Sequence, residues 1–332
     1  MRKLLAIILA LELICVWWLL CVLTWHIDAV TYLAAGERLN AGHALYSLMP
    51  GDRALAVDSS AVGTPILYPP LIAVLWRPLS ALPAMTGLYL WFAAAAVAIF
   101  TSIWYVARDL RWSAIAVLLI FSAGIGSQLR AANIEAFIIL TALLLWDQSD
   151  RRPWVGVIIG VLTAIKVSPG IFIVWLISQR RWGAVRWAAA GLIGGFLVGL
   201  IGVGLDAHVQ AFDMLRSSKP QNLTITGLTV IPWATWAVDV FGALSILLVT
   251  KHPKAAFRLA ALTIIFGSPQ ISLGVAAYAL LLVLPMRRGC EARGRRRGDP
   301  RGGPAEHRAG AGVLGAARTH GADAEPVQRF LQ

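Results

Sequence analysis

His26-Ile27-Asp28-Ala29-Val30-Thr31-Tyr32-Leu33-Ala34-Ala35-Gly36, running on to Gly42-His43-Ala44-Leu45-Tyr46, is the stretch around which the chain is arranged. It starts where the first long apolar run, about residues 4–24, ends. A membrane-spanning helix needs about 20 apolar residues, with a range of about 17–25. That run therefore predicts a span and places the residues after it at a membrane surface. Arg2 and Lys3 put the start of the span on the cytoplasmic side, so Asp28 is a carboxylate just past its outer mouth. The run is too long for a signal-peptide core and no small-residue cleavage site comes after it, which reads as a retained first helix.

Composition agrees with this reading. The 332 residues are 58% hydrophobic and 14% charged, with a mean hydropathy of +0.71. A soluble domain is about 25% charged and 45–50% apolar, so an all-α polytopic membrane protein is expected. The formal charge of +12 divides unevenly: residues 1–286 hold 19 Lys/Arg and 12 Asp/Glu, residues 287–332 hold 10 and 5. In the body the basic residues cluster in short loops between apolar runs, the pattern of loops kept in the cytoplasm. The charge thus points to the lipid bilayer as partner and excludes nucleic acid. Cys15, Cys21 and Cys290 make neither a disulfide framework nor, with histidines, a zinc spacing.

Taken in order, the runs predict about ten transmembrane helices. After the first span, residues 26–83 form a large first outer loop, with a short proline-bounded apolar piece at 67–78 that reads as interfacial or re-entrant. Further spans follow at about 84–106, 112–129 and 134–147. Residues 153–179 are two apolar halves broken at Lys166-Val167-Ser168-Pro169-Gly170. A span at 187–205 leads to a polar second outer loop, 206–227, and a span at 228–250. A last broken pair, 255–267 and 270–286, turns at Gly267-Ser268-Pro269-Gln270. With this parity the loops near 108, 150, 180, 251 and 287 are cytoplasmic and each carries basic residues. Both termini of the body are then cytoplasmic, and the remaining polar groups and prolines face out.

Residues 287–332 are of another kind. Arg, Gly and Ala supply 27 of these 46 residues, with no apolar periodicity to build a core. Two expectations fit: a disordered basic tail lying on anionic lipid, or a reading-frame shift near codon 286 in a GC-rich gene. The abruptness of the change favours the shift.

The polar residues of the outer loops carry a resemblance. Asp28-x3-Tyr32-x3-Gly36, Gly42-x3-Tyr46, Tyr68-Pro69-Pro70, Pro78, Asn133, Ile165-Lys166-Val167-Ser168-Pro169 and Ser268-Pro269 together resemble the polyprenyl-phosphate-dependent glycosyltransferases of family 87. The similarity covers about residues 1–286. It implies the GT-C fold and a plasma-membrane enzyme of the actinobacterial envelope, with its active site extracytoplasmic. Such an enzyme moves a sugar, mannose before arabinofuranose, from a polyprenyl-phosphate donor to a glycolipid or polysaccharide acceptor. It implies metal-independent transfer without a cofactor, and Asp28 as catalytic base. One departure is local: Gln128-Leu129-Arg130-Ala131-Ala132 stands where a Gly-Gln or Gly-Asn pair is expected before Asn133.

Each candidate also has a chemical reason of its own. Attack by a sugar hydroxyl needs a base within hydrogen-bond reach, and a carboxylate just outside the hydrocarbon, Asp28, meets both a lipid donor and a lipid acceptor. Lys166 is a charge at a break between apolar halves, where ionisable groups are costly and mark function; with Arg130 it is expected to hold the donor phosphate and stabilise it as leaving group. Tyr32, His43, Tyr46 and Tyr68 offer rings and hydroxyls to sugars, and Asn133, Lys219 and Asn222 are further substrate contacts. No metal site is expected, because no two outer acids or histidines share ligand spacing. The competing class is a transporter or lipid flippase without chemistry, since broken helices also suit ion binding near a membrane midplane.

Overall fold

In a computed structural model of the chain the described residues are 27–47, 68–110, 121–217, 234–268 and 273–283. All belong to the unit Met1–Met286. The first predicted span, residues 48–67 of the outer loop, Lys219, Asn222 and the tail 287–332 lie outside them. Every regular element among the described residues is helical: α1 Ile27–Asn40, α2 Leu71–Ser80, α3 Ala84–Leu110, α4 Ser122–Ala131, α5 Glu135–Gln148, α6 Val155–Ile165, α7 Gly170–Ser178, α8 Trp182–Ser217, α9 Ala234–Leu248, α10 Pro253–Gly267, and a 3-10 segment Leu273–Val283.

Two of these, Ala84–Arg108 and Trp182–Met214, are long and apolar enough to cross a membrane; Leu71–Ser80, Val155–Ile165 and Ala234–Leu248 are shorter apolar helices. The described parts of the other expected spans are helices of 9 to 15 residues; residues 111–120, 228–233 and 269–272, in and beside those spans, lie outside the described residues. Large apolar side chains stay exposed along α8 and α9, among them Ile201 at 86% and Phe241 at 67%. Water disfavours apolar surface on that scale, and hydrocarbon does not.

Small residues set the closest helix contact. A Cβ on Gly160 would lie 2.0 Å from the Ala188 carbonyl oxygen, and one on Gly156 would lie 2.2 Å from that of Ala184. Gly156-x3-Gly160 is the small-xxx-small pattern by which membrane helices bring their backbones together, and it docks α6 on α8. The pair α1 and α2 closes in the same way at Gly36, where a Cβ would sit 2.9 Å from the Trp76 carbonyl oxygen. Asn40 ties the far end of α1 to α2: its Nδ2 donates to the Arg77 carbonyl at 2.9 Å and its Oδ1 accepts from Arg77 Nε at 3.0 Å.

The breaks fall where the sequence breaks. Lys166 is extended and Pro169 caps α7, since proline has no amide hydrogen to continue α6. α4 ends at Ala132 in the left-handed region (φ 48°, ψ 47°). One expectation is revised: residues 206–217 are helical, not a polar loop. Gly204 (φ 81°, ψ 175°) bends α8 there, and the helix beyond it buries Ala207, Ala211 and Met214 while leaving Val209 and Phe212 exposed.

Candidate active site

Four segments meet at one end of the helices. The first turn of α1 carries Asp28, with Tyr32 one turn on. Tyr68 stands just before α2, Asn133 and Glu135 sit in the turn that opens α5, and Lys166 occupies the break between α6 and α7. The basic ends of the same helices lie away from this cluster. At that opposite end Arg181 pairs with Asp150 at 3.1 Å, and the Tyr105 hydroxyl donates to Asp147.

Asn133 joins the segments. Its Oδ1 accepts from the Tyr32 hydroxyl at 3.3 Å and from the backbone N–H of Glu135 at 3.2 Å, and its side chain hydrogen-bonds to Asp28. Behind them stands an aromatic wall. Tyr32 meets Tyr68 edge-on at 5.1 Å and Trp76 at 5.9 Å, and Trp91 packs at a tilt against Trp76 at 5.2 Å and Phe137 at 5.1 Å. Trp91 Nε1 also donates to the Ala132 carbonyl at 2.7 Å, pinning the turn that carries Asn133.

This environment shapes the ionisable groups. Burial pushes the Asp28 carboxyl up from its usual 3.8 to about 6; the Lys166 ammonium pulls it down, the Glu135 carboxylate pushes it up, and the hydrogen bond from Asn133 pulls it down. Burial likewise holds the Tyr32 and Tyr68 hydroxyls well above the usual phenol value, with the Asp28 charge adding to both. Near neutral pH the site thus holds an ionised but readily protonated carboxylate beside two phenols that keep their protons. That pairing suits proton abstraction from a hydroxyl.

The other expected residues are placed as follows. His43 is exposed in the loop after α1, its backbone N–H donating to the Arg38 carbonyl at 2.9 Å. The Tyr46 hydroxyl donates to the Tyr68 carbonyl at 2.6 Å, so it braces the loop at the entrance to α2. Arg130, on the last turn of α4, has a buried Nε with no hydrogen-bond partner among the described residues. Lys166 is paired: its ammonium contacts Glu135, a side chain only 3% exposed. Glu135 and its partner Gln128, whose amide donates to the second Glu135 oxygen, were missed in the sequence. The signal was a lone carboxylate opening an apolar run, which a membrane reading treats as functional. An apolar groove of ≈ 230 Å³ adjoins the cluster, with Pro69, Pro70, Val167, Leu192, Phe196 and Phe212 among its lining residues. Two of these, Pro69 and Val167, directly follow Tyr68 and Lys166 in the chain.

With the cluster in view, comparison with known proteins is decisive on one point. The profile of glycosyltransferase family 87 matches residues 66–297. The chain belongs to that family. Tyr68, Asn133, Glu135 and Lys166 fall inside the matched span, and Asp28 and Tyr32 precede it. Among curated relatives, a polyprenol-phosphate-mannose-dependent alpha-(1-2)-phosphatidylinositol pentamannoside mannosyltransferase of Mycobacterium tuberculosis is 24% identical over 202 residues, covering 57% of this chain and 44% of that protein. The protein of the same description from Mycolicibacterium smegmatis is 24% identical over 195 residues, covering 57% of this chain and 46% of its own length. A phosphatidylinositol mannoside mannosyltransferase of the same donor dependence from Mycobacterium tuberculosis is 26% identical over 293 residues, 79% of this chain and 66% of that protein. The chain therefore spans about half the length of the first two. No solved structure matches.

Proposed function

We propose that this family 87 member is a membrane glycosyltransferase that moves mannose from a polyprenyl-phosphate donor to an envelope glycolipid or polysaccharide on the outer face of the plasma membrane. The transfer is a single inverting displacement. Asp28 takes the proton of the acceptor hydroxyl as its oxygen bonds to the anomeric carbon. The bond from that carbon to the phosphate oxygen breaks, and polyprenyl phosphate leaves with the electron pair. Arg130 and Lys166 bind the phosphate and offset its developing charge. Tyr32, Tyr68 and Asn133 hold Asp28 and the sugar in register.

The observation that carries this reading is the meeting of Asp28, Asn133, Glu135 and Lys166, with an apolar groove lined by the neighbouring residues Pro69 and Val167. A polar reaction centre beside apolar walls is what a charged headgroup on a greasy chain requires. The names of the curated relatives support polyprenyl-phosphate mannose as donor and an inositol-lipid mannoside as acceptor class. The ten-span GT-C architecture belongs to the same proposal, with the basic helix ends in the cytoplasm and the site outside.

The test is direct. Protein in lipid nanodiscs is given labelled polyprenyl-phosphate mannose and phosphatidylinositol mannosides. Mannosylated lipid and free polyprenyl phosphate are expected in equal amounts, with the rate falling as pH drops through about 6. Asp28→Asn is expected to abolish both products. Movement of labelled lipid between leaflets with no phosphate released would replace the enzyme with a flippase. A cysteine placed at exposed position 43 is expected to react with an impermeant reagent from outside the cell; labelling only after lysis would reverse the topology.

A further inference from the structure

The site holds two acids and one ammonium, and they are not equivalent. Glu135 is 2% exposed. One of its oxygens contacts the Lys166 ammonium and the other accepts from the Gln128 amide. Its backbone N–H is held by Asn133 at 3.2 Å. Gln128, at 1% exposure, has its own carbonyl oxygen unpartnered among the described residues, so its amide is committed to Glu135. Both oxygens of Glu135 are therefore taken, and its position is set from two sides.

Asp28 differs. It is only partly buried, and its hydrogen bond comes from Asn133. The charged groups facing it are Lys166 from the break between α6 and α7 and Glu135 from α5; the phenol of Tyr68 faces it from before α2, and Tyr32 from its own helix. Tyr278 of the 3-10 segment faces Glu135. A carboxylate that pairs with an ammonium becomes a weaker base, because the pair stabilises its charged form. If Lys166 closed on Asp28, the base would be lost to an ion pair. What holds the ammonium elsewhere is Glu135.

We propose that Glu135 is a positioning residue of the transfer reaction: it anchors Lys166 at the break between α6 and α7 and so keeps that ammonium from closing on Asp28. This rests on the reading of Asp28 as base. Lys166 remains 25% exposed on its side chain, enough to meet a donor phosphate while still tethered. Glu135 itself is buried, with both oxygens engaged by Lys166 and Gln128. Beyond its direct repulsion of Asp28, its effect passes through Lys166 to the basicity of Asp28.

The pH dependence of kcat/KM for polyprenyl-phosphate mannose separates this role from a structural one. In the wild type the acid limb is expected near pH 6. In Glu135→Gln, with Lys166 released onto Asp28, the limb is expected to move down by about one pH unit, the lower end of the change an adjacent opposite charge produces. The plateau kcat is expected to fall by less than the ~10²–10⁴-fold that loss of a general base costs, and Glu135→Asp is expected to bring the limb part of the way back. An unchanged limb in folded, monodisperse Glu135→Gln protein overturns the proposal. If that variant does not fold, Lys166→Gln is compared with Glu135→Gln/Lys166→Gln, where no unpaired charge is left behind. Without Lys166 to release, the second substitution is expected to move the limb down by only the smaller amount that the direct repulsion between Glu135 and Asp28 supplies, and a full one-unit downward movement there overturns the proposal. The two readings fail differently: an active Asp28→Asn removes Asp28 as base, whereas an inactive Asp28→Asn with an unmoved limb in Glu135→Gln removes only the role of Glu135.

Discussion

Replacing Asp28 by asparagine is expected to stabilise the protein at neutral pH while it ends the reaction. The sign comes from linkage. In the folded chain the carboxyl binds its proton more tightly than in the unfolded chain, about 6 against 3.8. Protonation therefore favours folding. The contribution of Asp28 is most favourable below about 3.8 and is lost as pH rises through about 6. At pH 7.5 the ionised group is held at a cost, and each pH unit between the folded and unfolded values is worth about 1.4 kcal/mol. The full difference corresponds to about 3 kcal/mol, and because the side chain is only partly buried, solvent screening reduces this to about 1–2 kcal/mol. Asparagine keeps the size and the hydrogen bond to Asn133 without the charge. Thermal unfolding in nanodiscs, monitored by tryptophan fluorescence at pH 7.5 and at pH 4.5, reads the difference. Asp28→Asn is expected to unfold a few degrees higher than wild type at pH 7.5 and to lose most of that advantage at pH 4.5. A variant no more stable than wild type at pH 7.5, or equally advantaged at both values, would refute the burial of a charged Asp28.

Two further outcomes test the frame that holds the site. Gly160→Leu is expected to destabilise by about 1–3 kcal/mol or more, because its Cβ would meet the Ala188 carbonyl oxygen at 2.0 Å and neither backbone can yield; an unchanged unfolding temperature would disprove the α6–α8 contact. Ala132→Val puts a β-branched residue at φ 48°, a strain of about 1–3 kcal/mol, and is expected to lower transfer by displacing Asn133. Ala132→Gly is expected to be tolerated, and equal behaviour of the two variants would show that the left-handed turn is not needed.

Much of the helical layout was readable from apolar length and punctuation. The runs at 84–106 and 134–147 became α3 and α5, and the break at Lys166 to Pro169 stands where proline and charge interrupt the apolar pattern. The helix over 206–217 was not readable, because its scatter of polar residues (Asp206, His208, Gln210, Asp213, Arg216) resembles a loop until burial of Ala207 and Ala211 selects one face. Of the site, Asp28, Asn133 and Lys166 stood out as polar residues at the ends of apolar runs. Tyr46 drew notice as a sugar contact, but the structure commits its hydroxyl to the Tyr68 carbonyl.

What the sequence determined alone was therefore what one-dimensional pattern encodes: hydrocarbon-length runs, charge at their ends, and the few polar residues too costly to bury without purpose. What only the tertiary structure decided was pairing. Lys166 and Glu135 lie 31 residues apart, and Tyr32 and Asn133 lie 101 apart. No local propensity links them, since they meet only when glycines let α1 close on α2 and α6 close on α8. Which of two carboxylates takes the ammonium is set by that packing, because a counter-ion can satisfy only the acid within its reach.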